Sequence, residues 1–351
     1  MQPRSSVPKV FWSLMVGVLL AVGCQNRPAE PSQRRVGESM VFVGEEPARL
    51  AERPLAPVPL VVRSAFAPGP GVLEYVAGQD YAVDFAAGTL RRLPSSRLPD
   101  FRTNSLFGQE DFDHSKFPGF GNTRFFAFVD YGFRPTNDWP IQPAQVALLP
   151  KSAAKLKAGG EFKLVAFGDS ITAGGDATRP ELIFWNQWAA ELGKKYPQVR
   201  ITAVNGATGG DTTVQGLQRL QAKVLDQRPD LVLIGFGMND HNRRGVPLPD
   251  FERQLREMIA RIRSETTAEV VLCSAFPPNP RWVHGTQRMG EYAAATARVA
   301  AETGCALADV FRNWQVLAAR KRPEDLLANN INHPNDFGHW IYYQVLSAMD
   351  L

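Results

Sequence analysis

The sequence predicts an α/β fold, a parallel sheet covered by helices on both faces, preceded by a smaller all-β region. Two observations carry this. From about residue 160, near-continuous apolar runs of strand length alternate with segments whose apolar residues return every three or four positions, the pattern of buried parallel strands joined by amphipathic helices. Between about residues 40 and 150 the runs are short, β-rich and separated by Gly, Pro and Asn turns, with no amphipathic helix of useful length. At 351 residues the chain also exceeds the prior of about 150 residues for one domain, so two are expected.

The first residues are a leader rather than fold. Met1 to Lys9 carries Arg4 and Lys9 without an acid, and Val10 to Val22 is an apolar run of export-signal length, short for a bilayer span. It ends in "LLAVGC", which resembles the lipobox of bacterial lipoproteins and implies cleavage after residue 23 and lipidation of Cys24. Residues 24 to 40 are polar, Pro-bearing and without periodicity, as expected of a flexible tether. The expected location is therefore the bacterial cell envelope, with the membrane touched only through a lipid anchor.

Residues 41–152 follow with "PLVVRSAF", "VLEYVAGQDYAVDF" and "RFFAFVDYGF". In "YAVDFAAGTLRRL" two β-type runs flank a Gly-containing turn, a hairpin signal. A sandwich or jelly roll is expected. The aromatic, turn-rich segment Phe107 to Phe126 fits a small core or a domain contact, with stacking on sugar rings the alternative. His114 within it is expected to be structural.

From 160 to 351 the strand-like runs are "FKLVAF", "RITAVNG", "DLVLIGFG", "EVVLCSAF" and "CALADVF". Leu182, Trp185, Trp188, Ala189 and Leu192 recur at helical spacing, as do Phe251, Leu255, Met258, Ile259 and Ile262. Cys273 lies late in its run and Cys305 at the start of the next, too far apart along neighbouring parallel strands for a disulfide, so two buried free thiols are expected. No Cys/His cluster has metal-ligand spacing, and no metal or cofactor is expected. The net charge is +4 with no long basic run, which excludes nucleic acid as a partner.

Ligands of such sheets bind at the carboxyl ends of the strands, and four loops there carry chemistry: "FGDSIT", "GGDTT", "GMND" and "NHPN". Each alone is an ordinary turn. Together, in order over residues 160 to 351, they resemble the SGNH, or GDSL-type, hydrolases. The resemblance implies a flavodoxin-like sheet, Ser170 as nucleophile, His333 as general base, and an oxyanion hole made by Gly210, Asn239 and the Ser170 N–H. Each residue type suits its role: a neutral imidazole can take the hydroxyl proton near pH 7, glycine lets a backbone N–H approach the oxyanion, and asparagine offers an uncharged donor. "GDSIT" is not G-x-S-x-G, which argues against an ordinary α/β-hydrolase elbow.

The chain departs from the family at one position. The third member is usually an Asp three residues before the histidine, and here that residue is Asn330. Asn330 is expected to orient His333 through its amide oxygen, with Asp325, Asp336 or a plain Ser-His dyad as alternatives. His241 is expected to line the pocket, and His284 and His339 to be structural. Trp282, in "FPPNPRWVHGTQRMG", is read equally as a sugar platform and a packing anchor.

Such a constellation, behind a β-sandwich, resembles two-domain carbohydrate esterases. The expected function is hydrolysis of O-acyl esters, chiefly O-acetyl esters on carbohydrate, through an acyl-enzyme on Ser170. A lipase, phospholipase or thioesterase of the same fold, or a non-catalytic carbohydrate-binding relative, are the alternatives.

Overall fold

The computed structural model describes residues 33–135 and 142–351, which fall within one compact unit. Cys24 and the expected export signal lie outside the described residues. No helix among the described residues is long and apolar enough to cross a membrane.

The N-terminal part contains β1 (Gln33–Met40), β2 (Ala48–Arg49), β3 (Val61–Arg63), β4 (Glu74–Tyr75), β5 (Tyr81–Asp84), β6 (Thr89–Arg92) and β7 (Ala127–Phe133). Two antiparallel sheets form, ordered β1-β7-β3-β4 and β2-β6-β5. Met40, Leu50, Val62, Tyr75, Tyr81, Leu90 and Val129 meet between them in one apolar cluster, so the expected sandwich is present. The predicted hairpin is β5–β6. Residues 33–40, expected as tether, are instead a strand: β1 pairs with β7 and buries Met40 on the sandwich side. Polarity misled the reading there, because Glu38 and Ser39 are buried with partners rather than solvated.

The α/β part carries α1 (Pro150–Ala158), β8 (Gly160–Gly168), α2 (Phe184–Lys195), β9 (Val199–Asn205), α3 (Thr213–Lys223), β10 (Leu231–Gly235), α4 (Leu248–Glu265), β11 (Glu269–Cys273), α5 (Met289–Thr303), β12 (Ala306–Ala308), α6 (Val310–Ala318), α7 (Pro323–Leu326) and α8 (Asp336–Ser347). All five of these strands run parallel in the order β12-β11-β10-β8-β9. That order is the flavodoxin-like one, and it reverses between β8 and β10, which is where such sheets open a crevice for ligand. Phe162, Leu164, Val165, Ala166 and Phe167 of β8 are all buried, as a strand covered on both faces requires. Cys273 and Cys305 are free and buried.

The two parts share a core across the expected boundary at 152–160. β7 alternates: Ala127, Val129, Tyr131 and Phe133 face the sandwich cluster, while Phe128 joins the same cluster as Phe162, Phe167 and Trp188 of the α/β part. Polar bonds reinforce this contact. Lys321 and Glu38, both 0% exposed, form an ion pair at 2.7 Å, and the Tyr131 hydroxyl and the Ala51 N–H donate to the same carboxylate.

Candidate functional site

The site is built where β8, β9 and β10 end. After Gly168 the chain turns: Ala173 N–H donates to Asp169 C=O and Gly175 N–H to Ser170 C=O, so Ser170 is presented on a tight loop. The Asp169 side chain caps that loop from below by accepting the Ile171 N–H. It is wholly buried, and desolvation pushes its carboxyl up to about 7. A Cβ at Gly175 would stand 2.8 Å from the Ser170 carbonyl and 3.0 Å from the His333 ring, so only glycine allows serine and histidine to close on each other.

They do close. His333 Nε2 lies 2.8 Å from Ser170 Oγ, and His333 Nδ1 lies 2.7 Å from Asp176 Oδ2. Three side chains thus form one hydrogen-bonded line, from a half-buried serine to a carboxylate 38% exposed. The carboxylate belongs to Asp176, not to any residue expected from sequence. Asn330 points its amide elsewhere: Nδ2 donates to the Phe120 carbonyl, and Oδ1 is buried without a partner among the described residues. Asp325 accepts the Val41 and Arg322 N–H groups, and Asp336 accepts the Thr178 N–H and hydroxyl. Asp336 therefore acts at one remove, by holding the loop that carries Asp176. The sequence signal for Asp176 was its place in the same turn as the serine, "GDSITAGGDAT". It sits at φ 61°, a conformation Asp tolerates better than most residues.

The histidine loop is braced from both sides. Asn329 Oδ1 accepts the N–H groups of Ile331, Asn332 and His333, and Ala328 N–H donates to the His333 carbonyl. Asn335 then caps α8 by accepting the Gly338 N–H. From the β-rich part, Asn122 donates to the carbonyls of Glu324 and Leu327 and, through its backbone, to that of Ala328. Ser39 donates to the Asp325 carbonyl.

The glycine and asparagine loops, which carry the expected oxyanion donors, are tied to the serine loop and to each other. Thr208 N–H donates to the Gly168 carbonyl, tying the glycine loop to the serine loop, and Gly210 adopts φ 81°, which favours glycine. Thr212 caps α3 by accepting the Val214 N–H on its hydroxyl, while its own N–H donates to Gln215 Oε1, fixing where that loop ends. Asn239 Nδ2 donates to the Asp211 carbonyl at 2.9 Å, joining the asparagine and glycine loops. Neither the Ser170 nor the Gly210 N–H finds an acceptor among the described residues. Buried Asp240 anchors the asparagine turn by accepting the Thr213 N–H and hydroxyl and the Gly237 N–H.

The remaining histidines sort by contact. His241 does not line the pocket: it is buried, with Nδ1 2.6 Å from the Met238 carbonyl. His339 is buried with Nε2 3.2 Å from the Gly175 carbonyl, and burial lowers its pKa to about 4. His284, expected as structural, is half exposed and lines a cavity of about 640 Å³ together with Gly210, Asn239 and Trp282. Trp282 is a packing anchor in a small cluster with Phe112 and Ile331, and its indole N–H donates to His114 Nδ1. Asp113, His114 and His284 bring potential metal ligands together. That indole bond occupies the His114 Nδ1 lone pair and leaves the proton on Nε2, so the trio does not suit a metal ion.

Known proteins resemble this chain over much of its α/β part. The GDSL-like Lipase/Acylhydrolase family matches residues 166–341, half of the chain. An arylesterase from Vibrio mimicus is 37% identical over 118 residues, covering 33% of this chain and 56% of that protein, so the chain spans just over half of its length. An acetylxylan esterase from Geobacillus stearothermophilus is 26% identical over 210 residues, covering 53% of this chain and 92% of that protein. Among solved structures, a two-domain esterase active on acetylated mannans superposes with a TM-score of 0.49 at 24% identity, covering 61% of this chain and 55% of the other. From Ser170 to His333 and beyond, the matched span contains each loop of the site, and the chain belongs to the GDSL-like lipase/acylhydrolase family.

Proposed function

We propose that the protein is a serine ester hydrolase that removes small acyl groups, chiefly acetyl, from carbohydrate. The observation that carries this reading is the line Ser170 Oγ, His333 ring, Asp176 carboxylate, with contacts of 2.8 and 2.7 Å. His333 Nε2 takes the hydroxyl proton as Ser170 Oγ attacks the ester carbonyl, and Asp176 holds the Nδ1 tautomer and stabilises the imidazolium. The oxyanion is met by the N–H groups of Ser170 and Gly210 and by the Asn239 amide, each donor of this kind being worth about 100- to 1000-fold in rate. The alcohol leaves with the proton from His333, and water, activated by the same imidazole, releases the acid and restores Ser170.

Acetylated carbohydrate is favoured because the cavity that Gly210 and Asn239 line also presents Thr212, Asn242 and His284, groups able to hydrogen-bond sugar hydroxyls, beside the Trp282 ring. The similarity to an acetylxylan esterase supports the same class. Purified protein should release acetate from 4-nitrophenyl acetate and from acetylated glycans, and prefer these to long-chain esters. Ser170→Ala should abolish the release. Wild-type protein inactive on every ester would leave a carbohydrate-binding role, and a preference for long acyl chains would make it a lipase or thioesterase.

We further propose export and anchoring through a lipid on Cys24, motivated by the "LLAVGC" stretch. Cells fed labelled palmitate should label the wild-type chain and not Cys24→Ala; equal labelling would reject the anchor.

A further inference from the structure

Building on the ester-hydrolase reading proposed above, we infer that the cavity lined by Gly210 and Asn239 takes esters borne on an acidic glycan, whose sugars carry carboxylate or sulfate groups. Arg243 and Arg244 follow the asparagine loop directly and line the same cavity as Gly210 and Asn239. Both are exposed, and neither guanidinium has a hydrogen-bond or ion-pair partner among the described residues. Other arginines are paired, as Arg63 is with Asp130, Arg97 with Asp80 and Arg256 with Glu302, so these two are free to meet an anion from outside.

Two acids that adjoin cavity-lining residues are already engaged. Asp211 is bound by Arg219 at 2.6 Å, and Asp113 faces His284 at 3.5 Å. The two positive charges are therefore left uncompensated at the mouth of the site. Their backbone is fixed: Arg243 N–H donates to the His284 carbonyl, Gly245 N–H to Asn242 and Val246 N–H to Asp240. Gly245 is forced by close approach to the Asp240 carbonyl, so the turn presents the pair in one place. Guanidinium groups bind planar oxyanions through two parallel N–H bonds, and a rigid turn at the rim of the cavity suits recognition of a charged sugar flanking the acetylated one. A lipid headgroup would also offer an anion; Thr212, Asn239 and Asn242 favour a glycan because they supply the hydrogen-bonding groups that sugar hydroxyls need.

The test compares wild type with the Arg243→Gln, Arg244→Gln double variant on acetylated polygalacturonate, acetylated neutral xylan, a sulfated acetylated glycan and 4-nitrophenyl acetate. The double variant should lose on the order of tenfold more kcat/KM on the acidic glycans than on 4-nitrophenyl acetate, mainly through KM. Wild-type preference for the acidic chains should also weaken as salt rises from ~0.05 to ~0.5 M. Whichever of the carboxylated and sulfated chains shows the larger loss identifies the group read. Equal losses on all substrates, a wild type indifferent to glycan charge, or a preference for lysophospholipid would overturn the inference. Calorimetric titration of unacetylated oligogalacturonide into Ser170→Ala protein separates the two readings. Arginine-dependent binding by a chain inactive on every ester upholds the acidic site while ending the hydrolase reading; binding no tighter than that of neutral xylo-oligosaccharide ends the acidic site.

Discussion

Replacing Asp176 by Asn changes one charge and almost no volume, which makes it the sharpest probe of the site. In the wild type its carboxylate is 2.7 Å from His333 Nδ1, and the two side chains are 38% and 23% exposed. When His333 becomes imidazolium, charges roughly 4 Å apart interact by about 1 kcal/mol in water and about 4 kcal/mol at the effective dielectric of a protein surface. A partly exposed pair falls between, so losing the charge should lower kcat/KM on 4-nitrophenyl acetate by roughly 10- to 500-fold. That is less than the roughly 10⁴-fold seen where the triad Asp is buried, because water at Asp176 replaces part of what the carboxylate supplies. The companion variant is Asn330→Gly, which suits the φ of 58° and removes the amide that sequence spacing had placed beside His333. It should keep activity within about threefold of a wild type unchanged in fold. Asp176→Asn within about threefold of wild type, or a larger loss in Asn330→Gly, would refute the assignment of Asp176 as the residue that orients the histidine.

Four further outcomes follow from buried groups. Glu38→Gln should lower unfolding stability by about 3–5 kcal/mol in urea titrations, since it leaves Lys321 charged and fully buried, whereas the double change Glu38→Met, Lys321→Met should recover most of the loss. Asp169 stays protonated in the native state to about 7 while the unfolded chain ionises near 3.8. The native state thus holds the extra proton between those values, stability falls as pH rises through them, and Asp169→Asn should gain on wild type from pH 4 to 7 by up to on the order of 4 kcal/mol. His339 has the opposite sign: it stays neutral to about 4 in the native state against 6.5 unfolded, so its contribution is intact above 6.5 and lost as pH falls toward 4. His339→Gln should accordingly gain on wild type over that acid limb, measured by urea midpoints. Asn122→Ala should lower kcat with little change in KM, because it frees two carbonyls of the loop leading to His333; a change in KM alone would count against the bracing role.

The parallel sheet and three of the site's loops were legible because each rests on local pattern. Continuous apolar runs such as "KLVAF" fix buried strands, and Gly210 and Asn239 stand at strand ends whose order the βα repeat dictates. Asp176 was not legible, because a carboxylate's partner depends on which way a Gly-rich turn folds back, and "AGGDAT" states only that it turns. Asn330 was misread for the same reason: spacing from His333 places it nearby, yet its left-handed backbone sends the amide to Phe120. β1 was missed because Glu38 reads as solvent-facing until its partners, Lys321 and Tyr131, are known to arrive from 283 and 93 residues away.

Those long-range partners explain why a β-rich segment precedes the α/β part at all. The loop from Glu324 to Asn330, which leads to His333, still offers carbonyls and side chains that its own backbone bonds do not satisfy. Ser39, Val41, Phe120 and Asn122 provide the partners: Val41 N–H is accepted by Asp325, Ser39 and Asn122 donate to backbone carbonyls, and Phe120 receives Asn330. A catalytic geometry loses rate steeply with small displacements of its base. The β-rich part is in this sense a brace for the loop that carries His333, and the shared apolar core through Phe128 is the physical reason it stays in place.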